Sequence, residues 1–305
     1  MSKAKRRREK KWRRSMLPSD SPSFRLKLRR AEQHLEDIGK DIERWRDDSL
    51  ETVVEEPDPE ESGYFLAWVA PPAMDLSMLS LRVGDCLQCL RSMLDHLAFE
   101  LASTFTTPMT NQIEKDSQFP ILSDIDRNGS FGIGPDKWRS SQKHICGMDP
   151  DAQTVIEGLQ PYKRGHTYDT DPLWRLGVLN NIDKHRALHF TTRVISGATM
   201  PVAGPNLPRS QWPRNVSIGT SDNRSFAIEI KGDIAAEGRT LVARWPMFPI
   251  DPSKKMHMGF RPILDVAFGP ETPLVGDAPV FNVLGDIHKH IVSDVLPPLV
   301  DFLVE

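Results

Sequence analysis

An apolar seam between residues 77 and 105 constrains the fold more than any other feature of the sequence. Its members recur at steps of four, three, four, four, three and four: Leu79, Val83, Cys86, Leu90, Leu94, Leu97 and Leu101. Steps of three and four bring side chains to one face of an α-helix. A seam of this length predicts a long helix that packs against other helices, because it must hide its apolar face.

The opposite face of this predicted helix is unusually poor in long charged side chains. It carries no lysine, and its members are Asp85, Gln88, Ser92, Asp95, His96 and Phe99. A solvated helix face is normally charged and polar throughout. We therefore expect this face to be half covered, with a second copy of the chain as the covering partner, which makes the protein a homodimer.

Periodicity predicts three further main helices and a β-rich segment. The helices run from Pro22 to about Asp47, from Pro172 to about Ala187 with Asp171 as the N-cap, and from Val280 until Pro297-Pro298 kinks or breaks the last one. A shorter helix is expected over residues 150–159. Strands are expected over residues 52–55, 64–70, 190–195, 216–219, 226–230, 240–245 and 263–268, with a hairpin turn at residues 221–224.

These elements predict an α+β fold, a helical bundle with a small antiparallel β-sheet inserted before the C-terminal helix. Residues 1–21 are expected to form a basic disordered tail, and residues 22–305 a single domain. Within that domain, residues 22–188 and 279–305 form the bundle and residues 189–278 the β-rich insertion. One domain is favoured over two because the last helix must return to the bundle to bury its apolar face.

Charge and cysteine content bear on partners and location. Residues 3–14 contain nine Lys or Arg and one acid, although the whole chain carries a net charge of −3. Such a tail can bind RNA through salt-sensitive phosphate contacts, or simply solubilise the chain. Three cysteines are too few for a disulfide framework, and neither a signal peptide nor an apolar stretch of about 18 residues is recognisable. We expect a cytoplasmic protein without a membrane partner.

A polar cluster marks the end of the helix that Pro172 opens. Helical spacing places Asn180, Asn181, Lys184 and His185 on one face. Asn181, Lys184 and His185 are the candidate substrate-binding residues, because amide, ammonium and imidazole groups together suit an anion or a phosphodiester. The alternative is a helix-end network in which Asp183 and Arg186 hold the first strand in place.

A second cluster, on the long helix, contains Arg91, Asp95 and His96, the candidate catalytic residues. Histidine moves protons near neutral pH and arginine stabilises a crowded phosphate, which suffices for metal-independent RNA cleavage. Asp95 would orient His96. Arg91 and His96 are about 140° apart on an ideal helix, so they converge only through distortion or between two copies. The alternative is an Arg91–Asp95 ion pair in a structural polar network.

A metal site is the third chemistry that the sequence permits. His96, His185 and His189 can form a three-histidine site in a bundle. The cysteines Cys86 and Cys89 lie on or beside the apolar seam and have no matching second pair. We expect no metal and no cofactor.

Two resemblances bear on function. The ordered stretches 90–97, 119–121, 159–162 and 176–186 resemble a group of bacterial proteins with no assigned activity. Separately, Arg91-x4-His96 is similar to the R-x4–6-H motif of the HEPN superfamily, whose members are helical bundles, often dimeric, and in many cases RNases. Carried over, Arg91 and His96 are the catalytic pair. Ser92 departs from the Asn, Asp or His usual after the arginine, and the inserted sheet is a second departure.

Three functions follow as hypotheses. The leading one is a HEPN-like metal-independent endoribonuclease that uses the Arg91–His96 pair. The alternative is a non-enzymatic binding or interaction protein in which Arg91, Asp95, His96, Asp183 and His185 form a buried polar network. The third is a three-histidine metalloprotein.

Overall fold

The described part of the chain folds into packed helices and two small antiparallel sheets. A computed structural model describes residues 22–122, 135–203, 229–230, 238–246 and 256–303. The α-helices are α1 (Ser23–Leu50), α2 (Leu76–Phe105), α3 (Asn111–Asp116), α4 (Pro135–Gln142), α5 (Pro150–Gly158), α6 (Pro172–His185), α7 (Val280–His290) and α8 (Leu296–Leu299). The strands are β1 (Val54–Pro57), β2 (Tyr64–Val69), β3 (Phe190–Ala203), β4 (Glu229–Ile230), β5 (Thr240–Pro246) and β6 (Met256–Phe268). This arrangement confirms the α+β fold class.

Helix α2 is the long helix that the apolar seam predicted. All seven seam residues are buried, and the helix packs along α1 on one side and against α6 on another. Its first turn is capped by Asp75, whose side chain accepts a hydrogen bond of 2.9 Å from the backbone N–H of Met78. The seam therefore joins α2 to its neighbours in one apolar core, as its spacing predicted.

Helix α6 crosses the middle of the bundle and begins at the predicted cap. The Asp171 carboxylate accepts hydrogen bonds from the backbone N–H groups of Leu173 and Trp174, which satisfies donors that the first helical turn leaves free. The helix ends at His185 because Arg186 adopts an extended backbone, with φ −162° and ψ 157°. This extended residue directs the chain toward β3.

The strands form two sheets where the sequence predicted one. A four-stranded antiparallel sheet has the order β1-β2-β5-β4, so the two early strands do join later ones. Strands β3 and β6 form a separate two-stranded sheet in the described part of the chain, from Phe190 opposite Phe268 to Ala203 opposite Met256. Alternating sequence indicates a strand but not its partner, which explains the difference. The predicted strand 216–219 and the turn 221–224 lie outside the described residues.

The C-terminal helix widens at the proline pair instead of ending there. Residues Ile291–Val295 form a π-helical turn, in which Leu296 N–H donates to the carbonyl of Ile291, five residues back. Pro297 and Pro298 have no N–H to donate, and a proline ring clashes with the carbonyl four residues before it. The wide turn avoids that clash, so the predicted kink is replaced by a π turn followed by α8.

The last helix returns to the bundle, as its apolar face requires. Helix α7 packs against α1, α6 and β6. The Arg46 side chain of α1 donates a hydrogen bond of 2.7 Å to the carbonyl of Leu264 in β6 and also pairs with Asp265. These contacts attach both ends of the chain to the same core. The domain boundaries given above stay a prediction.

Close packing of α2 against α6 depends on a glycine. Gly84 of α2 is buried, and a β-carbon at this position would press into the Asp183 carboxylate of α6, closer than van der Waals contact allows. Only hydrogen leaves room for the aspartate side chain there. The glycine therefore sets how closely the two helices approach.

We expect Gly84→Ala to lower the free energy of unfolding by about 1–3 kcal/mol, because the added methyl group overpacks the α2–α6 contact. Urea denaturation measures this change. Gly285→Ala is the matched control: a methyl group added to this α7 glycine would have no atom within 4 Å, and alanine should stabilise the helix by about 0.5–1 kcal/mol. Equal effects from both substitutions would contradict a packing role for Gly84.

Candidate functional site

Arg91 and Asp95 together hold the backbone of one distant residue. Nη2 of Arg91 donates to Oδ1 of Asp95 at 2.8 Å and to the carbonyl of Phe119 at 2.7 Å. The same Asp95 oxygen accepts a hydrogen bond of 3.1 Å from the N–H of Phe119. The ion pair, one helical turn apart on α2, thus binds both polar backbone groups of Phe119. Charged groups on a buried helix need such partners.

A buried glutamine holds the next residues of the same strand-like segment. Gln160 is fully buried; its Nε2 donates to the carbonyl of Pro120 at 3.0 Å, and its Oε1 accepts from the N–H of Leu122 at 3.1 Å. Tyr162 N–H also donates to the carbonyl of Leu122. We call residues 119–122 the clamped segment. Side chains thus bind both backbone groups of Phe119, the Pro120 carbonyl and the Leu122 N–H, because buried backbone groups outside regular structure need such partners.

Four stretches that the sequence analysis singled out, 90–97, 119–121, 159–162 and 176–186, meet at the clamped segment. Stretch 90–97 supplies Arg91 and Asp95, and stretch 159–162 supplies Gln160. Stretch 176–186 approaches through Gly177, where a β-carbon would lie 3.5 Å from Ile121. Residues far apart in the chain therefore meet at one structural feature.

Burial dominates the electrostatics of the ion pair. It raises the pKa of Asp95, and the nearby Arg91 and the Phe119 N–H act in the opposite direction. It also lowers the pKa of Arg91, whose side chain is only 10% exposed. Both shifts mean that the charged forms lose hydration in the fold. Each member of the pair depends on the other, because a lone buried charge is costly.

His96 faces another part of the molecule from Arg91. Its Nδ1 lies 2.9 Å from Oγ of Ser23, and that hydroxyl donates to Glu100 at 2.9 Å. Since the Ser23 hydroxyl donates its one hydrogen to Glu100, Nδ1 of His96 is the donor in this contact. The side chain thus links α2 to the first turn of α1. Within one chain the structure does not join His96 and Arg91 through shared partners among the described residues.

The polar residues near the end of α6 divide between inside and outside. Asn181, Lys184 and His185 are exposed, whereas Asn180 is buried, so the expected common face of four residues is wrong for Asn180. Asn180 is buried because it continues the stripe of buried residues on α6, which are Leu173, Leu176 and Leu179. Lys184 and His185 lie in the last turn, where basic side chains interact favourably with the helix dipole.

The clusters of α2 and α6 approach each other around Asp95. Lys184 and His96 both lie near enough to this carboxyl to favour its ionised form, although burial still raises its pKa. Among the described residues, no hydrogen bond is found between Lys184 and Asp95. Lys184 and His96 therefore affect the charge state of Asp95. The hydrogen bonds of Arg91 and Asp95, however, go to the backbone of Phe119.

Asp183 contacts α2. Its carboxylate packs over Gly84, and burial together with the nearby Asp85 raises its pKa. The alternative in which Asp183 and Arg186 hold the first strand stays a prediction. Arg186 is exposed at the helix end.

The described residues contain no group of three or more His, Cys, Asp or Glu side chains arranged to hold a metal ion. His189 follows the end of α6 and is exposed, as is His185. The thiol of Cys86 lies 3.7 Å from the carbonyl of Ala31, and burial raises its pKa to about 12. This thiol is therefore protonated at neutral pH and behaves as an apolar core group.

No structural or functional role was predicted for Gln160, on which the clamped segment depends. The usable signal was a glutamine at the end of a predicted helix and directly before a proline, in a stretch that already stood out. A side chain there can turn inward while Pro161 stops the helix. Its partner segment, however, lies about 40 residues away, and no local pattern indicates that contact.

Comparison with protein-family models, curated proteins and solved structures finds no match to this chain. None of the helices in the described part of the chain combines the length and the apolar character needed to cross a lipid bilayer. Function must therefore be inferred from the geometry of the described residues.

We expect Arg91→Met to lower the free energy of unfolding by about 3–5 kcal/mol, because it leaves Asp95 as an unpaired buried charge. Chemical denaturation measures the loss. The matched control is Arg44→Met: Arg44 pairs with Asp41 on the surface and is 72% exposed, so its loss should be below about 1 kcal/mol. If Arg91→Met behaved like the control, the clamped segment would not depend on this arginine.

We expect Asp183→Asn to gain stability relative to the wild type as pH rises above 3.8, the ordinary aspartate value. A raised pKa means that the folded state favours the protonated carboxyl, so its ionisation at higher pH destabilises the wild type. Denaturation at a series of pH values measures the difference.

Glu36→Gln is the control of opposite sign. Its hydrogen bond to Lys40 lowers the pKa of Glu36, so this variant should lose stability relative to the wild type over the same rise in pH. A difference between Asp183→Asn and the wild type that stays constant with pH would contradict the prediction.

Proposed function

We propose that this chain is a non-enzymatic interaction protein that pairs with a second copy of itself through α2. The observation that carries the proposal is the engagement of Arg91, whose buried guanidinium is held by Asp95 and by the Phe119 carbonyl. Nη1 of Arg91 has no hydrogen-bond partner among the described residues, but this atom is buried. An arginine that stabilises a phosphate needs free donors that the substrate can reach. The geometry therefore favours the structural-network hypothesis over catalysis by this residue.

The surface for pairing is the outer face of α2, formed by Met78, Leu81, Asp85, Gln88, Ser92 and Phe99. Leu81 is 63% exposed and Phe99 is 39% exposed. Large apolar side chains thus stand at both ends of the face, with short polar residues between them. Exposed apolar groups that recur along one helix face favour a protein partner.

The outer face is complementary to itself. If two α2 helices pack antiparallel about a two-fold axis near residue 90, Leu81 comes to the level of Phe99 in the other copy, and Gln88 to the level of Ser92. Asp85 comes to the level of Asp95, whose carboxylate is bound by Arg91 and the Phe119 N–H within its own chain. An isologous interface needs this kind of mirror relation along the helix. A second copy is therefore the partner that the face fits.

We expect the purified chain to be a dimer and Leu81→Lys and Phe99→Lys each to shift it to monomer, because a buried lysine at the interface has no partner. Light scattering after size exclusion measures the mass. Ile263→Lys is the matched control, since Ile263 is 45% exposed on β6 and lies off the outer face. A monomeric wild type, or dimers in both variants, would overturn the pairing proposal.

The ribonuclease hypothesis stays a prediction, and the approach of Lys184 and His96 to Asp95 is the observation that favours it. RNA binding by residues 3–14 also stays a prediction. Labelled RNA incubated with wild type and with His96→Ala separates the hypotheses. Under the interaction proposal neither protein cleaves RNA. Cleavage by the wild type that the folded His96→Ala variant loses would overturn the non-enzymatic assignment.

A further inference from the structure

A cavity of about 440 Å³ lies at the N-terminal end of α6, the end opposite Lys184 and His185. The 3₁₀ helix Pro161–Thr170, the first turn of α6, the end of α7 and the π turn after it line this open cavity. Its lining residues are Arg164, Thr167, Thr170, Asp171, Pro172, His290 and Asp294. None of them belongs to the outer face of α2 or to the clamped segment.

The hydroxyl groups of the two threonines can accept hydrogen bonds from a ligand in this cavity but cannot donate them. Oγ1 of Thr167 donates to the carbonyl of Arg164 at 3.0 Å, and Oγ1 of Thr170 donates to the carbonyl of Thr167 at 2.8 Å. A hydroxyl has one proton, so each oxygen retains only its lone pairs for a ligand. A ligand that bonds to these oxygens must therefore supply the hydrogens.

His290 adds a further acceptor. Its Nδ1 lies 3.0 Å from Oδ2 of Asp294, and a carboxylate only accepts, so Nδ1 carries the ring proton and Nε2 of the neutral ring is an acceptor. Nε2 is buried and has no hydrogen-bond partner among the described residues. A buried polar atom without a partner is rare and points to a missing donor.

The backbone next to His290 is the unusual π turn. It begins at Ile291, directly after the histidine, and contains Asp294. Single π turns inside helices are frequently found at functional sites. The wider turn changes which side chains lie on the same face of the helix. Here the turn carries the aspartate that holds the histidine ring.

The charges of the cavity favour a cation. Nε of Arg164 donates to Asp171 at 3.1 Å, and the Asp171 side chain is 1% exposed and also caps α6. The two charges offset each other, and the Nη1 and Nη2 groups of Arg164 remain hydrogen-bond donors. Asp294, which is 55% exposed, then leaves the cavity with one negative charge when His290 is neutral. Acceptors and a net negative charge together select a ligand rich in N–H donors.

We propose that this cavity binds a small organic cation that carries a primary ammonium group. The ammonium donates to Nε2 of His290 and to the hydroxyl oxygens of Thr167 and Thr170, and Asp294 balances its charge. The proposal is independent of self-association through α2, since it uses different residues.

The probe is n-butylammonium, with butyrate as the probe of similar size and opposite charge. In the full chain, the imidazole nitrogen signals of His290, assigned with His290→Gln, report binding by NMR. We expect a saturable shift with n-butylammonium and none with butyrate at the same ionic strength. A shift with butyrate alone would make this an anion site, and a shift with neither probe would overturn the proposal.

Variants separate a site from a general charge effect. Asp294→Asn should weaken n-butylammonium binding about tenfold or more, because a charge-assisted contact is lost. Its side chain is largely exposed, so the fold should tolerate the change, which circular dichroism checks. His288→Gln is the matched control on the same helix: His288 contacts Glu32 and does not line the cavity. Equal weakening by both variants would also overturn the proposal.

Discussion

The rest of this structure depends on a buried ion pair that binds the backbone of a distant segment. Arg91 and Asp95 hold both polar groups of Phe119, and Gln160 continues the contact along the clamped segment. Burying these side chains costs hydration, which the mutual bonds offset. Because the partners come from three separate parts of the chain, the network orders α2, residues 119–122 and the end of α5 at once.

That constraint shapes what the surface can do. Arg91 is directed inward, so the outer face of α2 retains short polar residues flanked by Leu81 and Phe99. On α6, Asn180 is buried and Asp183 packs against α2, while Asn181, Lys184 and His185 face solvent. Polar residues that look alike in sequence are thus divided between holding helices together and remaining available to a partner. The proposal of an interaction protein follows from this division.

Part of the candidate site could be predicted from spacing. The Arg91–Asp95 pair follows from a separation of four residues, and the divergence of Arg91 and His96 follows from their helical angle. The contact of both charges with Phe119 could not be predicted, since it joins residues more than twenty positions apart. Gln160 was missed for the same reason. Asn180 was misplaced because helical angle alone does not say which side of a central helix is buried.

The sequence by itself determined the four main helices, the Asp171 cap and the α+β class. Helical period, the Asp171 cap and proline geometry act within a few residues, so α2 and α6 lie where the pattern put them. Only the tertiary structure decided that the strands form two sheets, that Pro297-Pro298 widens a helix into a π turn, and that four distant stretches meet at the clamped segment. Those outcomes depend on partners brought together by packing, which no local pattern records.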